Sequence, residues 1–218
     1  ANQNAVLVNL PASVLRDTEM TLTVIYSGRI APQSPDRETL AFEQGFEQDE
    51  VFPRAEPSQL YSSRTYWYPQ STVSDYATAT IRITVPAVFA CVATGQLQPN
   101  SPTILPPGDG LVARRVYEFV ATQPARYLAF IVSRFARVAD TSVTFDPVEL
   151  PGPPITGVVN SDLAISVEAN PRQVDKGRNI VERAVDIARF YDSLLGDSPY
   201  PSFTLALIET SLPGGHSP

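Results

Sequence analysis

Residues 76–85 read YATATIRITV. Ala77, Ala79, Ile81, Ile83 and Val85 alternate with Tyr76, Thr78, Thr80, Arg82 and Thr84. At the two-residue period of a strand, the aliphatic set lines one face and the largely polar set the other. A helix would scatter the same residues around its axis, so the stretch predicts a half-buried strand. Working outward, TEMTLTVIY (18–26) repeats the period, with Met20, Leu22, Val24 and Tyr26 on one face. VYEFVA (116–121), YLAFIVSRF (127–135) and SVTF (142–145) are further β-rich runs. They are bounded by QPNSPTILPPGDG (98–110), TQPAR (122–126) and DPVELPGPP (146–154). Short strands at this spacing, punctuated by Pro and Gly, predict a mainly β chain built on an antiparallel β-sandwich. Residues 31–60 are polar, acidic and Pro-bearing, and read as a long surface excursion with little regular structure.

Beyond ELPGPPITG (149–157), which reads as a linker or stiff crossing, the pattern changes. After DLAISVEA (162–169), Asn170, Pro171 and Gln173 fit the N-cap, first-turn proline and capping-box positions of a helix. Gly177 weakens the first turns and would allow a start nearer Asp175. Val181, Ala184, Ala188, Tyr191 and Leu195 recur at three- and four-residue steps as one apolar stripe, and Gly196 suits a left-handed closing residue. SFTLALIE (202–209) then supplies a strand with apolar residues on both faces, the pattern of a strand covered on both sides in a layered α/β unit. The expected organisation is a sandwich over residues 1–158 and a short α/β segment, one helix and one strand, over residues 159–218.

Composition narrows the function. With 43% hydrophobic and 18% charged residues the chain is globular in character, and its net charge of −7 without a basic run argues against a nucleic-acid surface. The longest apolar run, Val88 to Ala93, is far short of the ~20 residues a membrane-spanning helix needs. The single cysteine, Cys91, excludes an internal disulfide and fits oxidising and reducing compartments equally. Within VFACVA it reads as a buried, inert thiol. The single histidine, His216, leaves no material for a Ser-His-Asp arrangement or for a zinc site of the usual His and Cys ligands. Asp49 and Glu50 read as a solvated acidic loop rather than an acid/base pair, and neither PPGDG nor LPGGHS has the setting of a phosphate-cradling loop. The chain alone is therefore expected to be non-catalytic and to hold no cofactor. Trp67, between Tyr66 and Tyr68, reads as a packed sandwich-edge residue rather than an exposed binding platform.

Several stretches, taken in order, resemble the membrane alanyl aminopeptidase family of zinc metallopeptidases. TLTVIYSGRI (21–30) resembles its L-x-V-x-Y-x-G strand. Residues 66–97, YWYPQSTVSDYATATIRITVPAVFACVATGQL, are similar to the run from its Pro-Asp-x-Pro segment through A-T-F-x-I-x-I-x-x-P to A-x-S-N-G-x-L. YEFVATQPARYLAFIVSRF (117–135) resembles F-x-x-T-x-P-x-x-x-Y-L-x-x-F-x-x-G-x-F. Residues 183–218, with FYDSLLGDSPYP at 190–201, resemble the start of the catalytic domain, where a helix leads to G-x-P-Y-P, a strand and the G-x-M-E-N loop.

The resemblance implies that residues 159–218 open a thermolysin-like catalytic domain that continues past this chain, with the H-E-x-x-H zinc motif beyond residue 218 and zinc held only in the full-length parent. It implies that strand 202–209 lines a peptide cleft and that Gly214, Gly215, His216 and Ser217 contact substrate in the parent. These four stand where the family has G-x-M-E-N, and without the glutamate that grips a free amino group, aminopeptidase specificity does not carry over. The implied partners are the rest of its own catalytic domain and a peptide substrate. Uncovered, residues 200–212 are expected either to pair across a homodimer or to dock weakly. The alternative reading is an extracellular all-β binding module without enzymatic activity.

Overall fold

The computed structural model of the chain describes residues 7–10, 19–33, 55–70, 75–108, 112–145, 162–195, 198 and 200–209. Their backbone forms three small sheets and one long helix, so the chain is mainly β, with mostly antiparallel pairing and no closed barrel.

The first sheet joins β1 (Gln59–Tyr61), β7 (Phe130–Ser133) and β3 (Ala90–Ala93), antiparallel, with β7 in the centre. The second has β6 (Arg114–Ala125) at its centre, with β2 (Ala77–Pro86) along one side. Two short strands, β4 (Gln96–Leu97) and β5 (Thr103–Leu105), pair with two stretches of β6 along its other edge. The 76–85 alternation is realised: Ile81 and Val85 are buried while Thr80, Arg82 and Thr84 are exposed. Ile81, Val85, Tyr117 and Phe119 from the second sheet meet Cys91, Phe130 and Val132 from the first, forming the core between two antiparallel sheets. Trp67 packs on this core edge-to-face with Phe130 at 4.9 Å and donates its indole N–H to the Leu128 carbonyl at 3.3 Å. It is half-buried, a packing residue as expected. Gly95 explains the close turn after β3. At φ +97° an added Cβ would lie 2.6 Å from the Val120 carbonyl carbon, so only glycine lets this turn lie against β6.

The third sheet has the order β10-β9-β8, from β8 (Ala136–Thr144), β9 (Asp162–Ala169) and β10 (Ser202–Leu207). β8 and β9 are antiparallel and β9 and β10 parallel, joined by the helix α1 (Val174–Leu195) as a βαβ unit. This sheet draws strands from both sides of residue 158. Its inner face buries Val143, Phe145, Leu163 and Ile165 beneath Ala184, Val185 and Ala188 of the helix. Gly177 is buried where α1 comes closest, and an added Cβ would stand 3.3 Å from Val138 Cγ1 and 3.4 Å from Val167 Cγ1. Its helix-propensity cost of ~1 kcal/mol thus accompanies a close helix–sheet approach.

Five expectations are corrected. Residues 19–26 form no strand: Met20, Leu22, Val24 and Tyr26 are each about half exposed and Ile25 is 92% exposed. Alternation specifies which face a strand would bury, but not that a sheet edge is there to receive it. The stretch is instead tied by Tyr26, whose hydroxyl donates to the Trp67 carbonyl. Second, the excursion assigned to 31–60 ends in β1, because Gln59–Tyr61 find the edge of β7; residues 34–54 lie outside the described residues. Third, TQPA belongs to β6, and the ladder tolerates Pro124 by a register shift opposite Ala77/Ala79, where no N–H is required. Fourth, β5 forms inside the stretch read as a boundary. Fifth, Tyr191 and Leu195 leave the core stripe and are 55% and 68% exposed. A 22-residue helix is about 33 Å long, whereas the eight residues of β9 span about 26 Å, so the helix outruns the strand beneath it.

Candidate functional site

Loop residues Gly214, Gly215, His216 and Ser217 lie outside the described residues, as do Asp49, Glu50, Gly196 and the 149–157 linker. What the described residues provide is the strand that leads toward that loop and the apparatus that holds the strand's end.

That apparatus is a buried polar junction where β7, β9 and β10 finish close together. Asn170, immediately after β9, is fully buried and was expected as an N-cap. Its backbone is extended and a 3-10 turn, Pro171–Gln173, does begin there, but its side chain makes no capping hydrogen bond. The reason is competition from better-placed partners. Asn170 Nδ2 donates to Ser133 Oγ at 2.8 Å and to the Arg134 carbonyl at 2.7 Å, while Oδ1 accepts from the Glu209 N–H at 2.7 Å. The Asn170 N–H donates to the Leu207 carbonyl at 2.9 Å. Ser133, also fully buried, donates to the Pro57 carbonyl at 3.0 Å and lies 2.9 Å from Ser58 Oγ. One amide thus ties the last residue of the first sheet's central strand to the exit of the third sheet's edge strand.

Glu209 completes the junction. Its carboxylate accepts from Arg172 N–H at 3.2 Å, Arg172 Nε at 2.8 Å, the Arg172 guanidinium Nη2 and Glu56 N–H at 3.2 Å. The hydrogen bond from the Arg172 side chain, aided by those backbone donors, holds the carboxyl below the usual carboxylate range despite its burial. Glu56 in turn faces Arg134 Nη1 at 3.7 Å. With four donors on its oxygens, Glu209 is no candidate general base. Its chemistry is positional: it fixes where the chain leaves β10. A second cluster, Arg137 with Asp140 and Glu168, stands at the irregularity between β8 and β9, where burial raises the Glu168 carboxyl and Arg137 opposes the rise.

Among the described residues β10 is paired on one side only, with β9. Phe203 is half exposed, Leu205, Ala206, Leu207 and Ile208 are each only partly covered, and Tyr200 is 44% exposed. The adjoining last turns of α1 add Ile187, Phe190, Tyr191, Leu194 and Leu195, all more than half exposed. Exposed apolar side chains thus occur both on this strand and on its crossover helix, and such side chains are suited to contact with further protein.

Sequence reasoning missed the junction. Asn170 sat in a cap motif that fully accounted for it, and Glu209 looked like the polar end of a strand. Their pairing depends on strand ends more than 35 residues apart meeting in space. Among the described residues no group of three or more His, Cys, Asp or Glu is arranged to hold a metal ion. No helix among them is long and apolar enough to cross a membrane. No protein-family model matches the chain, and no curated protein matches it significantly.

Proposed function

We propose that this chain is the non-catalytic sandwich and the entering βαβ unit of an aminopeptidase-like zinc metallopeptidase, the sandwich supporting and flanking the peptide cleft. The observation that carries the reading is β10. Among the described residues it is an edge strand whose Phe203, Leu205 and Leu207 face is only partly covered, and it follows a helix whose final turns carry exposed apolar side chains. Such a unit suits a larger α/β layer, and the order of motifs resembling the family supports a catalytic domain as that layer. The parallel βαβ unit has no place in an all-β binding module. The described residues do not fit zinc, so no hydrolytic step is assigned to them. In the parent, zinc and its ligands come from beyond residue 218. Gly214 to Ser217 face the peptide, and the open edge of β10 receives extended chain by strand addition. Without that layer, residues 200–212 either pair across a homodimer or dock weakly and exchange their amide hydrogens quickly.

The test compares zinc content and hydrolysis of aminoacyl and peptide substrates between residues 1–218 and protein from the reading frame continued past Pro218. The longer protein is expected to hold one zinc and to cleave peptides, and the shorter to do neither. Zinc-dependent turnover by residues 1–218 refutes the non-catalytic assignment. A longer protein that is folded, zinc-free and inactive refutes the metallopeptidase reading.

A further inference from the structure

The outward face of the second sheet carries a feature with no part in the cleft. Along β2 that face presents Thr78, Thr80, Arg82 and Thr84, so Arg82 is its one charge. In the register of the sheet Arg82 stands directly opposite Glu118 of β6. Directly opposed side chains of opposite charge on an antiparallel pair ordinarily meet, their Cβ atoms being about 5 Å apart. Here they do not: among the described residues neither Arg82 nor Glu118 closes an ion pair. Both instead border a hollow of about 300 Å³ whose other walls are Gln98, Asn100, Ser101 and Thr103, with the buried Val116 beside them.

The walls are held in place by the backbone. The loop between β4 and β5 passes beside Glu118, whose carbonyl accepts from the Gln98 N–H at 2.9 Å and whose N–H donates to Ser101 Oγ at 2.8 Å. The Ser101 N–H closes the turn on the Gln98 carbonyl at 2.9 Å. These bonds satisfy the Glu118 backbone and use neither the Arg82 nor the Glu118 side chain. An unpaired guanidinium and carboxylate bordering one hollow, with neutral amide and hydroxyl groups on its remaining wall, are complementary to a molecule carrying an anion at one end and an ammonium at the other.

We propose that this hollow binds a small zwitterion of dipeptide size, its carboxylate on Arg82 and its ammonium on Glu118. The site is separate from β10 and does not depend on the metallopeptidase reading.

The experiment uses the full chain and alanyl-alanine as probe, followed by amide chemical shifts, with N-acetylated and C-amidated alanyl-alanine as comparators. Saturable shifts confined to residues 82, 98–103 and 116–118 are expected for the free dipeptide. Each blocked form, and each of Arg82→Gln and Glu118→Gln, is expected to weaken binding by roughly tenfold or more, the loss of one charge-assisted contact. Both substitutions fall on side chains outside the core, and a retained melting temperature establishes that the variants are folded. Equal binding of free and blocked dipeptides overturns the proposal, as does the absence of saturable shifts at tens of millimolar probe.

Discussion

Replacing Asn170 with alanine tests whether the junction couples the third sheet to the sandwich. The substitution removes three hydrogen bonds of 2.7–2.8 Å from a fully buried position. Ser133 Oγ keeps the Pro57 carbonyl and Ser58 Oγ, so it remains satisfied. The Glu209 N–H and the Arg134 carbonyl lose the amide that served them. The orphaned, buried Glu209 N–H costs about 1–3 kcal/mol, the part-buried Arg134 carbonyl less, and a small cavity adds to that, so the expected loss is about 2–4 kcal/mol. For a chain of this size that lowers the melting temperature by roughly 10 °C. Asn170→Asp keeps an acceptor for Glu209 N–H but turns a carboxylate toward the Arg134 carbonyl and Ser133, so above neutral pH it is expected to cost at least as much as alanine. Urea denaturation followed by Trp67 fluorescence and by far-ultraviolet circular dichroism reads both the size and the coupling. Trp67 reports the sandwich and the helix reports the third sheet. The two transitions should coincide in the parent protein and separate in Asn170→Ala, with the helix signal lost first. A loss under about 1 kcal/mol with coincident transitions refutes the coupling role.

Gly95→Ala is expected to be severely destabilising, by about 3 kcal/mol or more, since its Cβ would sit 2.6 Å from backbone at φ +97°; a melting curve within 2 °C of the parent's contradicts this. Gly177→Ala should be close to neutral, because the helix-propensity gain of ~1 kcal/mol is offset by the squeeze on Val138, whereas Gly177→Leu should displace α1 and lower helicity by circular dichroism. Burial pushes the Cys91 thiol up to about 12, so it should resist iodoacetamide at pH 8 until urea unfolds the chain. The Glu209 carboxyl is lowered in the folded state, so its contribution to stability is complete above the ordinary carboxylate value and is lost as pH falls through the depressed one. Glu209→Gln should therefore flatten the acid limb of the stability profile and leave a deficit near neutral pH, measured by urea midpoints from pH 2 to 7. Glu168, raised by burial, has the opposite sign and weakens the fold as pH rises through its folded value.

The elements legible in the sequence were those whose own pattern sufficed. The 76–85 alternation, the stripe through Ala184 and Ala188, and the apolar face of Phe203, Leu205 and Leu207 each carry their period within one segment. The second face of that strand, read as apolar, instead carries Ser202 and Thr204, the latter hydrogen-bonded to Ser166. β1, β3, β4 and β5 were not legible because each is two to four residues long and exists by pairing with β6 or β7 rather than by its own pattern. The 19–26 run shows the converse, a strand period that joins no strand among the described residues. At the candidate site, the apolar strand was legible and the Asn170–Glu209 junction was not, since a buried amide's role is set by which strand ends converge on it.

β10 and the last turns of α1 leave Phe203, Phe190, Tyr191, Leu194 and Leu195 at least half exposed, and on the proposed reading further protein covers them. Hydrogen exchange of residues 202–207, read against residues 77–85 of β2 and paired with light scattering, tests it most directly. Expected is either a monomer whose β10 amides exchange much faster than those of β2, or a dimer whose dissociation on dilution releases that protection. A strict monomer at all concentrations, with β10 amides protected as well as those of β2, would contradict it.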